Sequence, residues 1–134
     1  MNYWLIKSEP STYSIDDLKK EKKTFWSGVR NYAARNNMKA MKKGDLLLFY
    51  HSVTEPGVVG LAKVVKEFYQ DPTTEETAWV VVDVAFVEKF KKVVSLEQIK
   101  KQEQLAAMDL LRLSRLSVQS VKPDEFDYIL SMAK

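Results

Sequence analysis

Gly57-Val58-Val59-Gly60-Leu61-Ala62-Lys63-Val64-Val65-Lys66-Glu67-Phe68 and Trp79-Val80-Val81-Val82-Asp83-Val84-Ala85-Phe86-Val87-Glu88-Lys89-Phe90 are two long runs of β-branched and aromatic residues. Between them lies the polar connection Asp71-Pro72-Thr73-Thr74-Glu75-Glu76, so the runs are expected to pair as an antiparallel hairpin. Strict alternation puts Val59, Leu61 and Val65 on one face of the first run, and Gly60 and Ala62 on the other. Small side chains there leave room for another backbone or a ligand. In the second run Val80, Val82, Val84 and Phe86 share a side.

The flanking segments supply more strands and a set of peripheral helices. Leu46-Leu47-Leu48-Phe49-Tyr50 is short and continuously apolar, as a strand buried on both faces should be; Lys43-Gly44-Asp45 turns into it and His51 to Pro56 forms a loop at its exit. Tyr3 to Lys7 is a strand closed by Pro10, with Trp4, Ile6 and Ser8 on one face and Ser8 emerging at its end. Ser14 caps a short helix whose first turn carries Asp16 and Asp17 and which Lys19 to Lys23 ends. Ser95 with Gln98 makes a capping box, and a further short helix is possible over Leu105 to Leu111. Leu116 to Val121 reads as one more strand. Pro123 then opens an amphipathic helix with Phe126, Ile129, Leu130 and Ala133 on its inner face. About five strands with short helices around them predict a single α+β domain over 1–134, built on a small, strongly curved sheet or barrel.

Composition excludes several kinds of chemistry. The chain has no cysteine, which removes thiol catalysis, Cys-based zinc sites and disulfides. No Gly-rich phosphate loop, converging carboxylates or metal-ligand spacing occurs, so no cofactor, metal or catalytic residue is expected. No apolar run approaches the ~18 residues of a membrane span, and the start lacks a signal-peptide pattern. The expectation is a monomer without a membrane partner, cytoplasmic, or nuclear in a eukaryote.

Charge points to a polyanion. The net charge is +3, yet residues 19–43 hold nine Lys or Arg against the single acid Glu21. The same region contains Thr24-Phe25-Trp26-Ser27-Gly28, a turn, and a helix on which Ala34, Met38 and Met41 share the apolar face. Beside that face run Arg35, Lys39 and Lys42. A planar aromatic at a turn, Asn amides and a concentrated basic field suit a nucleobase held beside its phosphates. The competing reading makes Trp26 a core residue and the cations mere solubility. Asn31 fits both an edge contact and the helix N-cap, while His51, the only histidine, fits a satisfied loop residue or a pocket rim.

Four blocks appear in order: Tyr3-Trp4-Leu5-Ile6-Lys7-Ser8-Glu9-Pro10, Trp26-Ser27-Gly28-Val29-Arg30-Asn31-Tyr32-Ala33-Ala34-Arg35-Asn36, Lys43-Gly44-Asp45 and Phe49-Tyr50-His51-Ser52. With Pro56 to Gly60, Val82-Asp83-Val84 through Phe90, and Leu116 to Gln119, they closely resemble the EVE domain family across essentially the whole chain. The resemblance implies a PUA-like pseudo-barrel, related to the YTH readers of methylated adenine, and a non-enzymatic reader of nucleic acid carrying a modified base. The target it implies is 5-methylcytosine or an oxidised derivative in DNA, with modified RNA as the alternative. A further alternative, from another class, is an enzyme on nucleic acid or nucleotides using His51. With the resemblance, the base-binding candidates are Trp26, Ser8, Ser27, Val29, Asn31, His51, Ser52 and Trp79, and the phosphate candidates Arg30, Arg35, Lys39 and Lys42. Relatives usually carry a longer segment before Trp79, which puts in question any pocket wall supplied from there. They also differ at Ser114 and Lys122, positions that bear on stability.

Overall fold

The computed structural model describes residues 1–134. Six strands, β1 (Tyr3–Ser8), β2 (Lys23–Phe25), β3 (Leu46–His51), β4 (Gly57–Gln70), β5 (Val80–Ser95) and β6 (Val118–Val121), form one sheet in the order β2-β5-β4-β3-β1-β6. Only β1 and β3 run parallel. A parallel pair needs a crossover. Here it consists of α1 (Ile15–Glu21), β2 and α2 (Tyr32–Ala40), and its two helices cover one face of the sheet. The other face is covered by α3 (Leu96–Lys100), a 3₁₀ turn at Glu103–Leu105, α4 (Asp109–Arg112) and α5 (Pro123–Met132). No helix is long and apolar enough to cross a membrane.

Each strand of the middle of the sheet splits its side chains between two cores. Leu47 and Phe49 enter the inner cluster with Trp4, Ile6, Trp26 and Met38, while Leu48 and Tyr50 enter the outer one with Leu5, Ile99 and Phe126. The expected inner face of α2, Ala34, Met38 and Met41, is fully buried there. This helix packs against both β5 and β6, and the Asn37 Nδ2 donates to the Val118 carbonyl at 2.8 Å. It therefore plugs the gap between the two flanks of a strongly curled sheet. The result is the anticipated α+β pseudo-barrel.

Three details differ from the expectation. The sheet has a sixth strand, β2, three residues that pair Lys23 with Ala85 and Phe25 with Asp83 where the helix was expected to end. A strand that short carries almost no alternation to recognise. Strict alternation also fails in β4, where Val59 faces the inner cluster and Leu61 the outer one with Val58. The register slips opposite Phe49/Tyr50 and again against β5, and each bulge reverses the face of the residues beyond it. His51 is the last residue of β3 rather than a loop residue.

Candidate nucleic-acid interface

A cleft of about 550 Å³ opens at the end of β1. Lys7, Ser8 and Glu9 form one side; Thr24 to Arg30 form the other, with Tyr13 and Ser117 between them. That volume lies within the roughly 300–1,000 Å³ of small-ligand sites. Trp26 closes the inner end. It is only 9% exposed, and its ring meets Phe49 and Tyr13 edge-on, at centroid distances of 5.5 and 6.0 Å. The other two indole N–H groups are bonded, Trp4 to Asp45 at 3.0 Å and Trp79 to Glu76 at 2.7 Å, whereas that of Trp26 has no protein acceptor.

The polar rim is held by the backbone behind it. The Ser8 hydroxyl donates to the Tyr13 carbonyl at 2.6 Å, which leaves its oxygen lone pairs as acceptors. Behind it the Ser52 N–H donates to the Ser8 carbonyl at 3.0 Å. Lys7 reaches across to donate to the Ser114 carbonyl at 2.7 Å, and burial lowers its pKa. Tyr13 donates to Glu21, and burial followed by that carboxylate raises the phenol's pKa.

The opposite lip hangs on Asp71. Gly28 sits at φ +81°, a region glycine enters freely, and its N–H donates to the Asp71 carboxylate at 3.1 Å. Arg30 donates to the same oxygen at 3.1 Å, and the Thr73 N–H and hydroxyl hold the other at 2.7 and 2.5 Å. Burial alone would raise this carboxyl, but the Thr73 bonds, then Gly28 and Arg30, outweigh it and bring the pKa down to about 2. The N–H groups of Ser27 and Val29 have no protein acceptor.

Residues 2–132 match the EVE domain. The chain belongs to the EVE domain family. It is 42% identical to mouse thymocyte nuclear protein 1, an alignment of 165 positions covering 98% of this chain and 73% of that protein. Since the chain has 134 residues, that relative carries inserted residues. A hypothetical protein from Leishmania major has the same fold at TM-score 0.94 and 48% identity, covering 99% of this chain and 94% of that one. The human THYN1 protein, solved in complex with 5-methylcytosine containing DNA, superposes with TM-score 0.94 at 38% identity, covering 100% and 98%.

In this EVE domain the cleft gathers Ser8, Trp26, Ser27, Val29 and Arg30 from the sequence-predicted set. The remaining candidates lie elsewhere. Asn31 caps α2, its Oδ1 accepting from the Ala34 N–H at 2.9 Å. His51 points away from the cleft: its Nε2 accepts the Ile15 N–H at 3.0 Å, and it borders a larger hollow of about 760 Å³ with Pro56, Val93 and Leu96. Burial lowers its pKa. Trp79 is outside the cleft, packed on Tyr32, with the Arg30 guanidinium 5.6 Å from its ring centre. Arg35, Lys39 and Lys42 follow α2 and its C-terminal turn on the outside. Sequence reasoning missed Lys7, Glu9, Tyr13, Phe25, Ser117 and the support from Asp71. Lys7, Glu9, Phe25 and Ser117 stand in stretches already singled out, which was the available signal; Tyr13 and Asp71 depend on long-range register.

Proposed function

We propose that this chain is a non-enzymatic reader that takes 5-methylcytosine, or an oxidised derivative of it, from DNA into the cleft beside Trp26. The observation that carries the reading is the likeness in fold, over the whole chain and at 38% identity, to the human THYN1 protein, whose structure was solved with 5-methylcytosine containing DNA. The chemistry of the cleft supports it. Cytosine offers an amino donor beside ring acceptors; Ser8 and Glu9 supply acceptors, and Lys7 with the free N–H groups of Ser27 and Val29 supplies donors. Val29 and Phe25 provide apolar surface for a 5-substituent. Since Trp26 lies deep in the cleft, the base must be unpaired or flipped out of a duplex to reach it.

The test is a titration of matched single-stranded and duplex oligonucleotides, DNA and RNA, carrying cytosine, 5-methylcytosine or 5-hydroxymethylcytosine at one stated salt concentration. Tighter binding of modified DNA, with the oligonucleotide recovered unaltered, is the expected result. Equal binding of plain and modified strands would overturn it, and a preference for modified RNA would reassign the polymer. Turnover that survives loss of Trp26 but not of His51 would make the protein an enzyme.

A further inference from the structure

Outside the cleft, an ordered column of aromatic rings and cations runs along α2 that base reading in the cleft does not use. Tyr32 is 61% exposed, the most exposed aromatic ring of the chain, yet it is not loose. Its ring lies 5.0 Å from that of Trp79 at 34°, and the Arg35 guanidinium is 4.9 Å from its centre. Arg35 is itself fixed, donating to Asn36 Oδ1 at 2.9 and 3.2 Å and to the Ala78 carbonyl at 3.3 Å. One turn further along the same helix face, Lys39 sits 5.6 Å from the ring of Phe68, which is 46% exposed. Acids close by in the chain are engaged elsewhere: Glu76 accepts from the Trp79 indole, Asp71 from Arg30 and Glu67 from the Lys43 N–H.

Rings interleaved with arginine and lysine offer π faces on which unpaired bases stack and cations that hold their phosphates. The column joins the cleft through Arg30, which lines the cleft and carries its guanidinium 5.6 Å from the centre of the Trp79 ring on which Tyr32 packs. We propose that Tyr32, steadied by Trp79 and Arg35, is a second nucleobase platform, which stacks the unpaired nucleotide adjoining the base held in the cleft. This rests on the cleft being the base-reading site. The column would keep an opened strand from closing behind the extracted base and would direct its backbone along Arg35 and Lys39.

A double-mutant cycle tests it, combining Tyr32→Ala with short single-stranded DNA probes whose central 5-methylcytosine is flanked by an intact or an abasic nucleotide, on each side in turn. Tyr32→Ala should weaken the intact probe by roughly 5- to 150-fold, the span of base–aromatic stacking. An abasic neighbour on one side should weaken wild type similarly, and the two losses should not add. Tyr32→Phe should bind as wild type. Unchanged binding of 5-methyl-deoxycytidine monophosphate by Tyr32→Ala checks that the fold and cleft are intact. The proposal is overturned if Tyr32→Ala binds the intact probe normally, or if its loss adds fully to the abasic loss on both sides. Should wild type fail to prefer the modified base, the reading of the cleft fails, while the same cycle run with plain cytosine still decides the platform.

Discussion

Trp26 shows why one side chain resists a choice between core and site. Its edge contacts with Phe49 and Tyr13 make it part of the inner cluster, and the same ring ends the cleft. Trp26→Ala should therefore lose about 3–5 kcal/mol of stability, as large aromatic deletions in cores do. Trp26→Phe is the better probe of binding: it should stay folded by denaturant titration while losing part of its affinity for modified strands. Asp71 makes a separate prediction at this scale. Its folded pKa of about 2 lies below the ~3.9 of an unfolded aspartate, so its stabilisation is present above about pH 4 and is lost as the pH falls towards 2. With the carboxylate fully buried, that amounts to about 2 kcal/mol. Asp71→Asn should remove this acid-side slope in urea unfolding at successive pH values. It should also loosen the lip that carries Gly28 and Arg30.

Among the elements, α1 is tied down by a histidine. The His51 Nε2 must be unprotonated to accept the Ile15 N–H, and burial lowers its pKa. The stability it contributes is present above the unfolded pKa of about 6.5 and is lost as the pH falls through the lower folded value. Amide exchange at Ile15 and Leu18 should accelerate as the pH drops through that window once the intrinsic acid–base dependence is removed, and His51→Gln should abolish the step. β4 offers a steric test. A Cβ on Gly60 would stand 2.4 Å from the Glu88 carbonyl oxygen and 3.0 Å from the Ile15 side chain, so Gly60→Ala should destabilise by about 1–3 kcal/mol. Gly60 was legible in the sequence as a place of close backbone approach, and the inner row Val80, Val82, Val84 and Phe86 was legible from its period of two. The faces of β4 were not, because a bulge leaves no mark on a pattern of valines. β2 was hidden for another reason: its partner Val84 is sixty residues from Thr24.

For the molecule as a whole, charge is the property with the longest reach. Nine cations against one acid between residues 19 and 43 place the basic field on α1, α2 and the lip of the cleft. Replacing Arg35 and Lys39 together should weaken all oligonucleotides alike and flatten the log–log salt dependence by up to about two units, leaving modified-over-plain preference unchanged. This stripe was legible because charge needs no register to be counted. The cleft was legible only in part: Trp26 and Ser8 stand in recognisable blocks, but Ser117 reaches the cleft, and Asp71 holds its lip from behind, through contacts that only the folded chain reveals.

The parallel partnership of β1 and β3, with β6 on the other side of β1, has a kinetic consequence. Tyr3–Ser8 cannot be held in place until residues 46–51 and 118–121 have both arrived, and Lys7 bonds to a carbonyl 107 positions away. Contacts of such span are slow to form, since chain closure is paid in entropy before any contact rewards it. No early, partly assembled species can hold the cleft in working shape. In stopped-flow refolding, capture of a labelled oligonucleotide should therefore rise with the slowest phase of tryptophan fluorescence, and at the same rate.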